Sequence, residues 1–557
     1  MEKNLLTGPT KCLIVRPEFL ENTFYNLTDV FRTLGGKSPA PALGALVAAA
    51  YLPKHWDIKY VDADVEPLLD EHFAWSDIVM VSGIGPQQET ILKALARAKA
   101  HAKPTVVGGA APTLQPDKYI GKADFVVSGE AETTVPKLLE DLGKGATSGF
   151  YKSDERAAMR DVPVPRYDLA KLDRYMFVGL GYTRGCPFAC EFCALIEIFG
   201  RKSRTKTAAQ VVKELQFLYD LGYRGMVDFG YDNLIGDIKH TEEVLGAMAT
   251  WLKEHGNPYA FTTEATMNLA KLPRLMELMK ACDFRYVFIG IESSDEEVLK
   301  KTQKGQNAVS AEEVVRIINS YGIVVNTGLI LGFDGEKKGI AEQMLKMVQT
   351  TGVFPTLVLA LHALPRSALQ RRMAAEGRLF DNGIDIIRDD RTDTATTGLN
   401  FVTSRPRTEI LEDLAHVLEE LYAPRNHYAR LEKTVRQLKR VNQFMPPKKM
   451  ALKLAKSFVK IVTTIGRDPE TAPYFWKALA KTMATNPAAA EVVLGQAVFN
   501  WNYAKQAKTY VRALREEIAQ VNQMGEAAYN ASRLAPPEVC ERIAQSKGAE
   551  KAPAIAV

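Results

Sequence analysis

The sequence predicts an α/β protein in three parts: a parallel-sheet domain, a partial (βα)6 barrel and a mostly helical C-terminal domain. Three observations predict it. Short apolar runs alternate with amphipathic helical stretches in two separate series, the pattern of parallel sheets covered by helices. The second series holds six strand-like runs, too few for a closed eight-stranded barrel. After about Gly377 the strand signals fade and helical patterns take over. The parts are expected at residues 1–150, 177–380 and 381–557, with a linker at 151–176.

In the first series the runs are Cys12–Arg16, Ile58–Asp64, Asp77–Gly83, Pro104–Ala110 and Asp124–Glu130. Helical stretches such as Glu89–Ala102 separate them, which makes a Rossmann-like arrangement. Three runs end in glycine turns: Ser82, Gly83 and Gly85 leading to Gln87; Gly108 and Gly109 leading to Thr113; and Gly129 followed by Glu130. In open α/β sheets ligands sit at the carboxyl ends of the strands, and glycine there admits close backbone approach. The stretch Phe19–Lys37 matches no pattern. The linker, with DVPVPRYDL, is rich in charge and proline. The second series runs through FVGLGYTRG from Phe177, Gly225–Asn233, Pro258–Thr266, Tyr286–Ser293, Val324–Phe333 and Thr356–Pro365. Thr408–Leu421 and Pro473–Ile518 read as helices, and the tail from Lys547 as frayed.

Composition excludes several classes. Hydrophobic residues make up 46% and charged residues 25% of 557, which is globular usage and excludes global disorder. No apolar run approaches the length that spans a bilayer, and the N-terminus has no apolar h-region, so no signal peptide is expected. A net charge of +5 is weak for a nucleic-acid binder, and none is expected as a partner. Six cysteines exclude a disulfide scaffold and point to a reducing, cytoplasmic setting.

Three of those cysteines carry chemistry. Cys186, Cys190 and Cys193 fall in GCPFACEFC with Cys-x3-Cys-x2-Cys spacing. Three thiolates on one short loop can hold three irons of a [4Fe–4S] cubane and leave the fourth open. Structural zinc asks for four ligands and a second Cys or His pair, and no such pair follows.

This loop resembles that of the radical S-adenosylmethionine (SAM) superfamily, whose signature is Cys-x3-Cys-x-aromatic-Cys after the first barrel strand. The resemblance implies that SAM chelates the open iron and that Phe192 lies near its adenine. The stretch Asp228–Asn233 departs from the superfamily's Gly-Gly-Glu motif and is similar to the Asp-Asp-Asn version of cobalamin-binding members, with Tyr231 replacing the first Asp. Asp232 and Asn233 are thereby expected at the SAM ammonium. Glu264 in TTEAT, and Glu292 and Ser293 in GIES, are expected at its ribose and methionyl part; Gly328 and Gly332 are expected near the adenine.

A parallel-sheet domain before such a barrel resembles the cobalamin-binding class of the superfamily, and Ser38–Pro53 resembles its Pro-x-Leu-Gly-x4-Ala-x2-Leu signature. Ser82, Gly83, Gly85, Gln87, Gly108, Gly109, Thr113, Gly129 and Glu130 are then expected around cobalamin. The Asp-x-His-x-x-Gly motif for an axial histidine is absent. The branch with hopanoid C-2 methylases and a helical C-terminal extension is the most similar, over about residues 10–425. It implies a C-methyltransferase that moves a methyl group from SAM by way of methylcobalamin to a carbon of a small-molecule or lipid substrate. It implies also an electron donor of the reductase or flavodoxin type. The alternative is ring formation, oxidation or rearrangement on the same cofactors.

Between Arg425 and Lys460 eleven basic residues face one acid, Glu432. Residues 447–464 place Lys449, Lys453, Lys456 and Lys460 on one helical face and Ala451, Leu454, Ala455, Phe458 and Val462 on the other. One reading is an interfacial helix on the anionic inner membrane surface. The other, the ordinary outcome, is a surface helix packing its apolar face on the barrel under solvated lysines.

Overall fold

A computed structural model of the 557-residue chain describes residues 5–21, 23–230, 232–304, 310–381, 399–546 and 548. The first sheet contains β1 (Lys11–Arg16), β2 (Asp57–Asp62), β3 (Ile78–Ser82), β4 (Thr105–Gly108), β5 (Phe125–Ser128) and β6 (Gly149–Lys152), all parallel, in the order β2-β1-β3-β4-β5-β6. The order reverses between β1 and β3, the switch point at which doubly wound sheets open a crevice. The strands are near-continuous apolar runs because both faces are covered. Leu13, Val15, Val79 and Val81 pack on Ile91 and Leu95 on one side; Cys12 and Ile14 pack with Leu46 and Ala49 on the other.

The strand β6 straddles the boundary expected after residue 150, with Tyr151 and Lys152 in the stretch expected as linker. Only Tyr151 of its four residues is buried, so this edge strand carries no apolar run. The remaining linker straps the two sheets together. Ser38 bridges to Tyr175, and Phe177 N–H donates to Pro39 O at 3.0 Å. The Ser38–Pro53 stretch thus carries the join, and its helix Leu43–Ala49 covers the first sheet.

The second sheet starts with β7 (Phe177–Leu180). A short antiparallel pair, β8 (Thr183–Arg184) with β9 (Arg204–Thr205), brackets the cysteine loop. Then come β10 (Gly225–Phe229), β11 (Tyr259–Ala265), β12 (Phe284–Ile289), β13 (Val324–Leu331) and β14 (Phe354–Ala360). Their order, β14-β13-β12-β11-β10-β7, is parallel throughout and follows the sequence, as in a partial (βα)6 barrel with two free edges.

The C-terminal region is helical. Helix Arg407–Tyr422 packs on β13 and β14, and helix Ala490–Met524 runs beside it. Their shared upper end is tied by Arg407 Nη1 to Glu517 Oε1 at 3.1 Å. At the lower end Glu491 takes both Arg285 and Arg440. The unassigned Phe19–Lys37 stretch is seated on the long helix. Phe24 meets Tyr510 with ring centroids 4.6 Å apart, and Gln506 donates to Asn26 O. The stretch Pro473–Ile518, expected to be helical, falls in two helices, Ala472–Thr485 and Ala490–Met524, because Asn486 leaves the helical region before Pro487.

The helix Lys448–Thr464 corrects the packing expectation. Among its described side chains the buried ones are Ser457 and Ile461, while Leu452 is 68% and Val459 60% exposed, with Leu454 and Phe458 also outside. Lysines turn inward: Lys453 Nζ donates to Asp173 O at 2.9 Å and Lys460 Nζ to Arg32 O at 3.2 Å. The lysines fasten the helix and much of its apolar face looks out. No helix among the described residues is long and apolar enough to cross a membrane.

Candidate active site

The cysteine loop leaves β8 through Gly185, whose φ is +89°. A Cβ there would stand 2.3 Å from Lys202 O, so the turn requires glycine. Cys186 N–H donates to Gly200 O at 3.3 Å and Cys193 N–H to Cys190 O at 3.0 Å. Glu191 accepts a two-pronged contact from Arg372, 2.9 and 3.0 Å, which pins the loop from the barrel's far side. Burial pushes the Cys186 thiol up to about 12 and the Cys193 thiol up to about 11, and the neighbouring thiols of the loop add to both shifts. The thiols lie near enough to act on one another while each keeps part of its surface exposed, which suits ligands that ionise only on meeting metal. Among the described residues no three His, Cys, Asp or Glu side chains converge on a single ion. A cubane does not ask for that, since each thiolate meets its own iron.

Beside the loop, acidic side chains gather at the carboxyl ends of β10 and β11. Asp228, Asp232 and Glu264 each bury an oxygen with no protein partner, and both side-chain atoms of Asn233 are in the same position. Burial raises the Asp228 carboxyl, and Glu264 opposite raises it further. Glu264 is raised by burial and then by Asp232. Asp232 is pushed up to about 7 by burial, against the opposing pull of Gly185 N–H, Arg184 and Arg204. Gly230 (φ +118°) leaves the centre of this group clear: a Cβ there would lie 3.9 Å from Glu264 Oε2 and 3.9 Å from Thr183 Oγ1. Buried acceptors left unpaired are costly, and an ammonium is the donor that would satisfy several at once. The donor set thus fits the amino group of SAM. Tyr231 lies outside the described residues.

Glu292 adopts φ +66°, rare for a residue with a Cβ. Its Oε1 accepts from Lys304 Nζ at 2.5 Å. A side chain on Gly290 would stand 2.6 Å from that same Nζ, which explains the glycine of GIES. Burial works against the Lys304 charge, but Glu292 with Cys190 and Cys193 outweighs it and holds the ammonium above its usual range. Lys304 also lies 5.5 Å from the Phe192 ring centroid, and Phe192 meets Phe333 edge-on at 5.6 Å. Sequence reasoning missed Lys304; its one signal was a lysine in a stretch that follows GIES. Ser293 goes elsewhere: its Oγ accepts from Asp295 N–H, and it lines a separate cavity with Glu296 and Leu299. Gly332 is packed against Leu399, whose Cδ2 would lie 2.7 Å from a Cβ there.

The first sheet presents its glycine turns to this loop. Helix Ala110–Leu114, after β4, packs on helix Leu195–Phe199, after the cysteines. The turns nest on one another. A Cβ on Gly109 would meet Gly83 O at 2.8 Å and Ser82 Oγ at 2.9 Å, and one on Gly129 would meet Ser153 O at 3.0 Å. Thr113 Oγ1 donates to Gly109 O at 2.7 Å and accepts from Gly129 N–H at 3.0 Å. Gln87 braces its own turn through Ile84 N–H and Pro17 O. Gly108 stays clear of close contacts, and Gly85, Ile84 and Gly109 leave part of the edge open. A large ring can approach such an edge along its backbone. Glu130 is engaged differently from the expectation. Its carboxylate is fully buried against Arg184 (2.9 Å) and Arg204 (2.6 Å) and accepts Ala157 N–H. It clasps the first sheet to β8 and β9. The histidines of this domain, His55, His72 and His101, precede β2, β3 and β4, at the opposite edge of the sheet.

Comparison with known proteins agrees with this layout. Residues 31–139 match the B12 binding domain model, residues 180–348 match the radical SAM superfamily, and residues 367–516 match a domain of unknown function, DUF4070. The fold and its two domains define a cobalamin-binding radical SAM enzyme. They imply a 4Fe–4S cluster and SAM in the barrel and cobalamin at the first sheet. The chain belongs to the family that includes an uncharacterized methyltransferase of Synechocystis sp., 34% identical over 518 residues, 92% of this chain and 94% of that relative. It is also 35% identical to the hopanoid C-2 methylase of Rhodopseudomonas palustris over 344 residues, 61% of this chain and 65% of that protein. Among solved structures, the fold matches the cobalamin-dependent S-adenosylmethionine radical enzyme OxsB with aqua-cobalamin and S-adenosylmethionine bound (TM-score 0.58, 16% identity, 96% of this chain and 84% of that one).

Proposed function

We propose that the protein is a cobalamin-dependent radical SAM C-methyltransferase acting on a carbon of a small-molecule or lipid substrate. The observation that carries this is the apposition of two edges: the glycine turns of the first sheet stand against the cysteine loop, locked by the Glu130 clasp. Cys186, Cys190 and Cys193 hold the cluster. Asp232, Asn233 and Glu264, joined by Asp228, take the SAM ammonium. Phe192 lies along the adenine, and Lys304, paired with Glu292, offers a buried cation for the SAM carboxylate. The exposed edge at Gly85, Gly108 and Gly109 receives the corrin, with Ser82, Gly83, Gln87, Thr113 and Gly129 shaping the turns. When bound, these cofactors supply radical and methyl-transfer chemistry; the protein supplies position and a water-poor site. The electron donor is a reductase or flavodoxin-type protein.

The test is anaerobic turnover with SAM, cobalamin and a reductant, read by mass spectrometry. Methyl transfer predicts S-adenosylhomocysteine and a substrate heavier by one methylene. A product without that gain would assign ring formation, oxidation or rearrangement instead.

The outward stripe of helix Lys448–Thr464 supports docking on an anionic lipid surface, with Lys448 and Lys456 free to meet phosphates. Trp476, 42% exposed beside Gly466 at the helix end, is an amphipathic anchor. Co-sedimentation with phosphatidylglycerol vesicles but not phosphatidylcholine vesicles is expected, and Phe458→Ser with Val459→Ser should abolish it. Equal recovery of the variant with vesicles would refute the docking.

A further inference from the structure

A second buried polar cluster lies far from the cysteine loop. A cavity of about 40 Å³ opens at the lower, amino-terminal end of the barrel lumen. It is lined by Asn326 of β13 and by Tyr422, His427, Arg430 and Asn500 of the C-terminal helices, among others. A water needs roughly 10–15 Å³ on this measure, so the space takes several waters or one small charged group. Arg430 is 1% exposed. One of its nitrogens, Nη2, donates to Leu421 O at 2.6 Å. Its Nε and Nη1 have no partner, and neither do Tyr422 OH, His427 Nε2 and Asn500 Oδ1.

The cluster is unbalanced in charge. Burial lowers the Arg430 guanidinium to about 10, which leaves it charged at neutral pH, and among the described residues no carboxylate acts on it. Burial, then Arg430, keeps His427 well below its usual range and hence neutral. Burial keeps the Tyr422 phenol protonated. One buried positive charge therefore stands among unpartnered polar groups, of which Tyr422 OH can donate and Asn500 Oδ1 can only accept. Water can hydrogen-bond such a group but cannot neutralise it, and leaving a buried charge uncompensated is strongly unfavourable.

Position tells what the cavity serves. Alternation along β13 puts Asn326, Gly328 and Ile330 on the lumen face. Gly328 is two residues further up, about 7 Å at roughly 3.3 Å per residue. There a Cβ would stand 3.7 Å from Glu292 Oε2, in the candidate SAM site, and 3.2 Å from Phe288. Leu357 and Leu359 pair with Gly328 and Ile330 on β14. Ile330 and Leu359 stand above the level of Gly328; the step from Asn326 up to the candidate SAM site is flanked by Gly328 itself, Leu357 beside it and Phe288, all apolar.

We propose that this cavity holds the anionic end group, a carboxylate or a phosphate, of an elongated apolar molecule that lies in the lumen with its other end at the SAM site. The assignment of that other end rests on the function proposed above; the anion site itself does not. Binding is tested on the holoprotein by calorimetry and thermal melting with hexanoate, hexyl phosphate and hexanol. Either anion should bind at least tenfold more tightly than hexanol, and the stronger of the two names the end group. Arg430→Met should remove that preference while leaving the anion-free melting temperature equal or higher, because it deletes an unpaired charge. A structural arginine would behave in reverse, with a lower melting temperature and unchanged preference. Tyr422→Phe, which keeps the volume, should weaken anion binding several-fold. Hexanol binding as tightly as the anions, or an unchanged Tyr422→Phe affinity, overturns the proposal and leaves a water-filled cavity. Because no readout passes through methyl transfer, failure here is distinct from failure of the catalytic reading.

Discussion

Asp228, Asp232 and Glu264 form a reservoir of protons at the barrel mouth. Their folded-state pKa values exceed the unfolded ones, near 4. The stability that Asp232 and Glu264 contribute is full below about 4 and is lost as pH rises through about 7. On the placement of SAM proposed above, an incoming ammonium would favour the ionised acids, and binding is expected to release protons there. We expect SAM affinity to rise several-fold between pH 6 and pH 8, and Glu264→Gln to flatten that rise; calorimetry in two buffers of different ionisation heat reads both. Gly230→Ala should cut SAM affinity at least tenfold, since a methyl group would enter the space facing Glu264 and Thr183 and meet Thr263 Oγ1 at 3.1 Å. Cluster content, read by visible absorbance, should survive that change and be lost in Cys190→Ala. The sequence displayed Asp232, Asn233 and Glu264 as strand-end polar residues. It could not display Lys304 or the gap at Gly290, because that ion pair exists only once the chain folds back from residue 304 onto Glu292.

At the scale of elements, the clasp between the two sheets centres on one fully buried carboxylate, Glu130. Glu130 is shared by Arg184 and Arg204, and Arg184 also takes Glu132 at 2.7 Å. Removing one member of a buried pair leaves its partner unsatisfied, about 3–5 kcal/mol by analogy with other proteins. Glu130→Ala is therefore expected to lower the melting temperature by several degrees and to reduce cobalamin retained through gel filtration. Unchanged retention would separate the clasp from cofactor binding. Glu130 shows what sequence position can and cannot reveal. Its place after a strand-end glycine was legible, but its partners stand 54 and 74 residues further along and belong to another element. The strand runs of β1 to β5 were legible because parallel strands buried on both faces are apolar throughout. The half-exposed β6 was not, for the same reason.

Over the whole molecule, the six barrel strands and the two-sheet order follow from the period of apolar runs. What closes the barrel does not. The edge strand β14 is flanked by helix Arg407–Tyr422, and the approach to β7 by residues 36–39. Helix Ala490–Met524, holding residues 23–31, joins the two sides. Those contacts link the first and last parts of the chain, and no local pattern announces them. Tyr510→Ala on the long helix should loosen both partners, raising the rate of proteolysis within residues 19–37 and between 400 and 425 together. Cleavage confined to one of the two would refute the joint seat. The same distance in sequence explains why helix Lys448–Thr464 reads as a packed amphipathic helix. Its lysines find backbone oxygens at Asp173 and Arg32, so its orientation is set by partners far upstream.

That seat has a consequence in time. Translation delivers residues 19–37 first and their resting place last, after nearly five hundred residues have left the ribosome. Both sheets can be complete while the side between β7 and β14 still lacks its closing helix. During that interval the side between β7 and β14 stands open, because the helix that seats residues 23–31 has not yet been made.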